Sequence, residues 1–284
     1  MRDEILSSIA GATTSRFVYS SLAFFGSRQG GELPGPWFTR ALTPLGIEEG
    51  AIRQTLWRME RKGSLLVRRD GRVNHYSASA PTAAILDAGT EKILSPVLSH
   101  WDGEWTLVYY QFDGDQRDAR DQVRYVLMVE GFAALGPGLY IHPRDRAARI
   151  LSAVDRMGLA DHVQAFRGPR KDAAPADRFA RSLWDLSGIA DRYRRFLDRF
   201  SSLEVQTDAI DPLEAFGLRF ALVIEYLEVA WDDPELPPEL LPDGWPGATA
   251  RRLAKELYEA WLPLALEYAE AVLAEVQEPA RSST

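Results

Sequence analysis

The stretch "GAIRQTLWRMERKGSLLVRRDGRVNHYSAS", residues 50–79, decides the reading of the fold. Its first half places Ile52, Thr55, Leu56 and Met59 on one face of a 3.6-residue period and Arg53, Gln54, Trp57, Arg58 and Arg61 on the opposite face. That spacing predicts a helix over about 48–62, ended by Gly63. The second half alternates on either side of Asp70-Gly71, which predicts a hairpin with a two-residue type I′ turn at that dipeptide. Between Gly50 and Tyr76 there are seven basic and two acidic residues, whereas 201–284 holds seventeen acidic and five basic ones. Charge is therefore segregated in a chain of formal net charge −8, and one basic face is free to meet a polyanion.

Working outward toward the N-terminus, 14–26 reads as a helix with Thr14 or Ser15 as cap and Phe17, Val18, Leu22 and Phe25 on one face. The glycine-rich "GSRQGGELPG" reads as a loop, and a second short helix begins at Pro36, carrying Trp37, Phe38, Ala41 and Leu42. Gly46 stands where a tight turn between helices needs positive φ. Helix, helix, turn, helix, hairpin is the order of a winged helix-turn-helix, in which the third helix enters the major groove and the hairpin meets the phosphate backbone. The DNA-binding candidates are Arg53, Gln54, Trp57, Arg58 and Arg61 on the helix and Arg68, Arg69, Arg72, Asn74 and His75 on the hairpin. A basic helix face is most often only a solvated face. The turn glycine, the hairpin directly behind the helix and the Gln, Asn and His set among the arginines favour DNA binding here.

With 284 residues and 46% hydrophobic content, the chain is long enough for two or three compact units. It has no cysteine, which excludes disulfides, thiolate metal sites and cysteine nucleophiles. There is no apolar run long enough to span a bilayer, and the polar start Met1-Arg2-Asp3-Glu4 lacks the pattern of an export signal, so a cytoplasmic address is expected.

Residues 81–98 read as a helical connector. From Trp101 the pattern changes: "EWTLVYYQF" reads as a strand, 115–132 as a helix with Val123, Val126 and Leu127 inward, and "GLYIHP" as a strand. A helix over 144–157 and the strand "DHVQAFRG" follow, with an extra strand around 132–135. This alternation suits a small ferredoxin-like α+β domain. "RGPRKDAAPAD", 167–177, reads as a linker, and helices follow at 187–200, about 212–230 and 247–276.

No constellation for catalysis, a cofactor or a metal stands out. The four histidines lack the spacing of a metal-binding helix, and no nucleophile elbow, Walker loop or dinucleotide fingerprint occurs. Asp113 and Asp115, just after the first central strand, are the one enzymatic alternative: paired carboxylates there could hold Mg²⁺ for phosphodiester cleavage. Asp113-Gly114-Asp115 equally fits an acidic turn, which is the favoured reading. For a small-molecule effector the candidates are Trp184, Tyr193, Arg194, Tyr226 and Trp231, with Phe196 and Trp245 as further aromatic surface and Arg167, Arg170, Arg192 and Arg195 as further cations.

The order of these segments resembles the PaaX family, transcriptional repressors of phenylacetic acid degradation operons. The resemblance rests on "TPLGIEEGAIRQTLWRMERKG" with the hairpin behind it, "WDGEWTLVYY" at Trp101, "GFAALGPGLYIHP" at Gly131, "LWDLSGIADRYRRFLDRF" at Leu183 and "DPELPPELLPDGWPG" at Asp233. It implies a multidomain α+β protein: a winged helix-turn-helix domain (1–80), a helical connector (81–100), a ferredoxin-like domain (101–170) of the fold also used by small CRISPR-associated nucleases, and an α-helical effector and dimerisation domain (171–284). It further implies a homodimer on a palindromic, double-stranded operator, released by an aryl- or acyl-CoA such as phenylacetyl-CoA. The chain departs from the family's habit at Glu48, where the helix cap is usually serine, and at "IEYLE", 224–228, where a basic stretch is usual.

Overall fold

The computed structural model describes residues 5, 13–95, 100–114, 116–171, 174–203 and 210–278. The polar N-terminus, Asp115, the end of the connector and the last residues of the chain lie outside the described residues. The fold is mixed α+β, and its residues divide into two compact units. One is drawn from 1–95, 195–227 and 249–284, the other from 96–194 and 228–248, so the C-terminal segment expected as a single domain contributes to both.

The first unit opens with α1 (Thr14–Phe24), whose N-cap position is Thr13, one residue before the expected cap. Phe17, Val18, Leu22 and Phe25 are all buried, as the period requires. The stretch read as a loop contains a short strand, β1 (Glu32–Pro34), followed by α2 (Gly35–Leu42) with its proline in the first turn. Three residues between glycines and a proline give too little alternation to announce a strand. β1 exists because β3 offers it a partner. Gly46 has φ +84° and leads into α3 (Glu49–Arg61). The hairpin consists of β2 (Leu65–Asp70) and β3 (Val73–Ala78), and the antiparallel sheet has the order β1-β3-β2.

Asp70 pairs with Val73, so the turn residues are Gly71 and Arg72 rather than Asp70 and Gly71. Gly71 has φ +57° while Arg72 is not among the residues with positive φ, which is the pattern of a II′ rather than a I′ turn. The next element, α4 (Ala80–Leu94), matches the expected connector helix.

The second unit holds β4 (Glu104–Tyr110), α5 (Arg117–Val129), β5 (Ala133–Gly136), β6 (Leu139–His142), α6 (Ala147–Arg156) and β7 (Val163–Pro169). Its sheet has the order β5-β6-β4-β7, with each neighbouring pair antiparallel. Alternation along β4 sends Val108 and Tyr110 into a core with Val123, Leu127, Ile150 and Val154 of the two helices. The opposite face carries Trp105 and Ile141 against Ala180, Leu236 and Leu240. Ala180 belongs to α7 (Ala176–Leu183), a helix not expected from the sequence; the linker read over 167–177 reaches only its first turn.

Further along run α8 (Leu186–Phe200), α9 (Pro212–Ala230), α10 (Gly247–Ala260) and α11 (Leu262–Gln277). The single helix expected over 247–276 is broken at the fully buried Trp261. Pro263 explains the break, because its ring lacks an N–H and crowds the carbonyl four residues before it. Within the first unit α2 packs on α11: the Trp37 indole donates to the Ala269 carbonyl (3.0 Å) and the Tyr268 hydroxyl to the Ala41 carbonyl (3.2 Å).

Candidate functional site

Helix α3 is fixed by its inner face. Ile52, Thr55, Leu56 and Met59 are buried, and the helix packs against α1, α2 and β2. Its N-cap, Glu48, makes no side-chain capping bond. The C-terminus closes as a Schellman motif: the Ser64 N–H donates to the Met59 carbonyl (3.0 Å), the Gly63 N–H to that of Glu60 (2.9 Å), and Gly63 has φ +71°. Arg53, Gln54, Trp57, Arg58 and Arg61 are all exposed, so the polar face read from the sequence is a real surface.

Those residues are not equally available. Arg53 is ion-paired one turn back to Glu49. Trp57 is 55% exposed, and the Arg61 guanidinium lies over its ring, 5.0 Å from the centroid. Arg58 has no ion-pair partner among the described residues, which leaves it the least engaged cation of the helix face.

On the hairpin the pleat separates the candidates. Arg69 pairs with Asn74 in the register, on the face that also carries the buried Tyr76, and the Arg69 Nε donates to the Asn74 side-chain oxygen (3.4 Å). Arg68 and His75 pair on the opposite face. There Arg68 is ion-paired to Glu32 of β1 and to Asp70 (3.3 Å), and His75 Nδ1 lies 3.7 Å from Glu32. Arg68 holds the Glu32 carboxyl below its ordinary range. Arg72 sits exposed in the turn. The ten candidates therefore form three groups: the α3 face, the Arg69–Asn74 face with the turn, and the Arg68–His75 face, where Glu32 neutralises charge. Sequence reasoning missed Glu32 because it missed β1.

The effector candidates separate too. A cavity of about 370 Å³ in the second unit is lined by Trp184, Arg194, Arg181, Trp245 and the start of α8. Tyr193 stands behind this wall: it is 1% exposed, donates its hydroxyl to Asp233 (2.8 Å), and meets the Trp245 ring edge-on at 6.1 Å. Tyr226 belongs to the first unit and is fully buried, with Arg251 Nε donating to its hydroxyl (3.3 Å). Trp231 is 38% exposed and does not line the cavity. Arg192 pairs with Asp232 (2.6 Å) and Arg167 with Glu104 (3.0 Å) and Asp102, so these two cations are committed elsewhere.

His142 is structural. Its Nε2–H donates to the Pro234 carbonyl (2.9 Å) while Nδ1 accepts the Arg144 N–H (3.1 Å), and burial, aided by the nearby Arg146, pushes its pKa down to about 3. This bond and the Arg146–Glu235 pair (2.7 Å) hold the loop in which Glu235 has φ +56°. Asp113 is an exposed turn residue whose N–H donates to Gln116 (3.2 Å), and among the described residues no three His, Asp or Glu side chains form a group that could hold a metal. Among those residues, too, no helix is long and apolar enough to cross a membrane.

Three family models match successive parts of the chain: "PaaX-like protein" over 18–81, "PaaX protein central Cas2-like domain" over 98–180 and "PaaX-like protein C-terminal domain" over 184–271. The transcriptional repressor PaaX of Escherichia coli (strain K12) is 31% identical over 249 residues, covering 85% of this chain and 78% of that protein. Among solved structures, the uncharacterized protein Rv0674 from Mycobacterium tuberculosis matches with a TM-score of 0.52 and 26% identity, over 83% of this chain and 89% of that one. The exposed helix face and hairpin lie in the first matched region, the four-stranded sheet in the second and the cavity's aromatic wall in the third. The chain belongs to the PaaX family, a family of transcriptional repressors and not of enzymes.

Proposed function

We propose that the protein represses transcription by binding a palindromic, double-stranded operator as a homodimer, with α3 reading base edges in the major groove. The observation that carries this is the split of α3 into a buried apolar face and an exposed face bearing Arg53, Gln54, Trp57, Arg58 and Arg61. Three helices followed by a hairpin, all in one unit, support the winged helix-turn-helix reading of 1–80, with 81–100 as connector. The strand order β5-β6-β4-β7 with α5 and α6 on one face supports a ferredoxin-like domain over 101–170. Residues 171–284 then supply the helices for effector response and dimerisation, and the protein acts in the cytoplasm. Arg72, Arg69 and Asn74 carry the hairpin's phosphate contacts, and Arg68 and His75 contribute less because Glu32 faces them.

The release signal in this reading is an aryl- or acyl-CoA, with phenylacetyl-CoA the first to test. Such a ligand lowers operator affinity only to the extent that it binds the DNA-incompetent state more tightly, typically by about 1–3 kcal/mol of coupling. A metal-dependent nuclease is not favoured, since the 31% identical relative is a repressor. The test is an anisotropy titration with the DNA upstream of the protein's own gene, at two salt concentrations, with and without phenylacetyl-CoA. Tight, salt-dependent binding released by the ligand is the expected result. Binding no tighter than to unrelated DNA of equal length overturns the reading.

A further inference from the structure

Trp57 is the most exposed tryptophan among the described residues, and it stands within the polar face of α3, with Arg53 one turn before it and Arg61 one turn after. A lone apolar side chain on a surface needs no explanation, but this one interrupts a face otherwise made of hydrogen-bonding groups. It adds nothing to the core, which Ile52, Thr55, Leu56 and Met59 fill from the other side of the helix. Gly50 lies two turns earlier on the same side, where an added Cβ would meet nothing within 4 Å and φ is not positive. The backbone does not require a glycine there, and glycine weakens a helix; what it supplies is close approach of this side of α3 to another surface.

The indole is also held in place. The Arg61 guanidinium over its ring restrains it through the attraction of a cation for an aromatic face, and a side chain restrained beforehand has less freedom to lose on binding. Its chemistry narrows what it meets. An indole offers one donor, the ring N–H, and apolar surface everywhere else. In the major groove the base edges present donors and acceptors with one exception, the C5-methyl group of thymine. A phosphate contact would use the N–H alone and leave the apolar surface in water. Contact with a methyl group takes that surface out of water.

We infer that Trp57 reads a thymine through its methyl group, with Arg61 as the positioning residue that holds the ring, and so fixes one A·T pair in each operator half-site. This rests on the proposal that α3 lies in the major groove of an operator, and it adds an apolar, base-specific contact to the hydrogen bonds that the arginines and Gln54 of the same face offer. Burial of one methyl group corresponds to about a fourfold change in affinity per half-site.

The test is an anisotropy titration of the full-length protein on the DNA upstream of its own gene, with each thymine in turn replaced by deoxyuridine, which lacks only the methyl group. At one thymine in each half-site the replacement is expected to weaken wild-type binding about fourfold. Trp57→Ala should bind the thymine and deoxyuridine duplexes equally. Trp57→Phe should keep the discrimination, since it retains an apolar ring and loses only the N–H, and Arg61→Gln should reduce it. The ratio of two affinities measured on one protein does not depend on how much of that protein is folded, so a loss of discrimination is not a loss of fold. Specific binding in which no thymine methyl matters, or in which the same thymine stays sensitive in Trp57→Ala, or in which Trp57→Phe behaves as Trp57→Ala, overturns the inference; full discrimination by Arg61→Gln removes Arg61 from it. Wild-type binding no tighter than to unrelated DNA overturns the operator reading itself, and this inference with it, so the two failures are told apart.

Discussion

Arg68 of β2 reaches across the central strand β3 to pair with Glu32 of β1, and His75 lies beneath the pair. The most basic segment of the chain thus carries its own counter-charge on one face of the sheet. Glu32→Gln should therefore raise DNA affinity severalfold by releasing Arg68 toward phosphate, and Arg68→Ala should cost little in the wild-type background. Anisotropy titrations of the two variants check this; an unchanged affinity for Glu32→Gln would mean that this face does not approach DNA.

Arg72, at the exposed turn, should behave differently. Arg72→Ala is expected to weaken binding to all sequences alike and to reduce the salt slope by about 0.9, the contribution of one phosphate contact. Arg58→Ala, on α3, should instead remove about 1–3 kcal/mol of discrimination at one base position. Titrations against single-base operator variants separate the two behaviours, and a change of base preference on replacing Arg72 would move the hairpin off the backbone.

His142 gives the stability a pH dependence. Its folded pKa of about 3 lies below the ordinary value of 6.5, so between these values the unfolded chain binds the extra proton. This contribution is complete above pH 6.5 and is lost as pH falls toward 3, with a slope of up to about 1.4 kcal/mol per pH unit. Urea unfolding across this range should show His142→Gln with a shallower acid limb than wild type. Parallel limbs would show that His142 is protonated in the fold.

Two glycines with positive φ should respond unequally to alanine. At Gly71 (φ +57°) a Cβ meets nothing within 4 Å, so Gly71→Ala costs only the left-handed strain, about 1–2 kcal/mol. At Gly138 (φ +72°) the same Cβ would collide with the Tyr110 carbonyl oxygen, and the cost should be clearly larger. Equal losses in thermal unfolding would contradict the packing of the β5–β6 turn against β4.

Arg219 is 1% exposed, its guanidinium nitrogens have no hydrogen-bond partner among the described residues, and its guanidinium carbon lies 3.4 Å from the centroid of the Tyr258 ring and 4.7 Å from that of Phe24. Burial lowers its pKa to about 10. A buried cation without a carboxylate is costly, so Arg219→Met should leave stability unchanged or raise it, whereas a loss of more than about 2 kcal/mol in urea unfolding would assign the guanidinium a partner.

What the sequence made legible follows from how local each signal was. The faces of α3, the glycines at 46 and 63 and the strand at β4 are set by neighbours within a few residues, and these expectations hold in the structure. The hairpin turn slipped by one residue because Asp70-Gly71 and Gly71-Arg72 both offer a glycine, and only the pairing of Asp70 with Val73 chooses between them. β1 and α7 were missed because each is short and owes its form to distant partners, β3 for one and the Leu236–Leu240 segment for the other. For the same reason the grouping of Trp184 with Trp245, the retreat of Tyr226 into the other unit and the pairing of Glu32 with Arg68 were invisible. Each joins residues far apart in the chain.

Whether α3 reads a specific operator is decided by selecting binding sites from a randomised DNA pool with the wild-type protein and with Arg58→Ala. A base-reading α3 yields an inverted repeat with half-sites about one helical turn, or a multiple of it, apart, and the variant loses one conserved base pair per half-site. A pool that shows no enriched motif with the wild-type protein would contradict it.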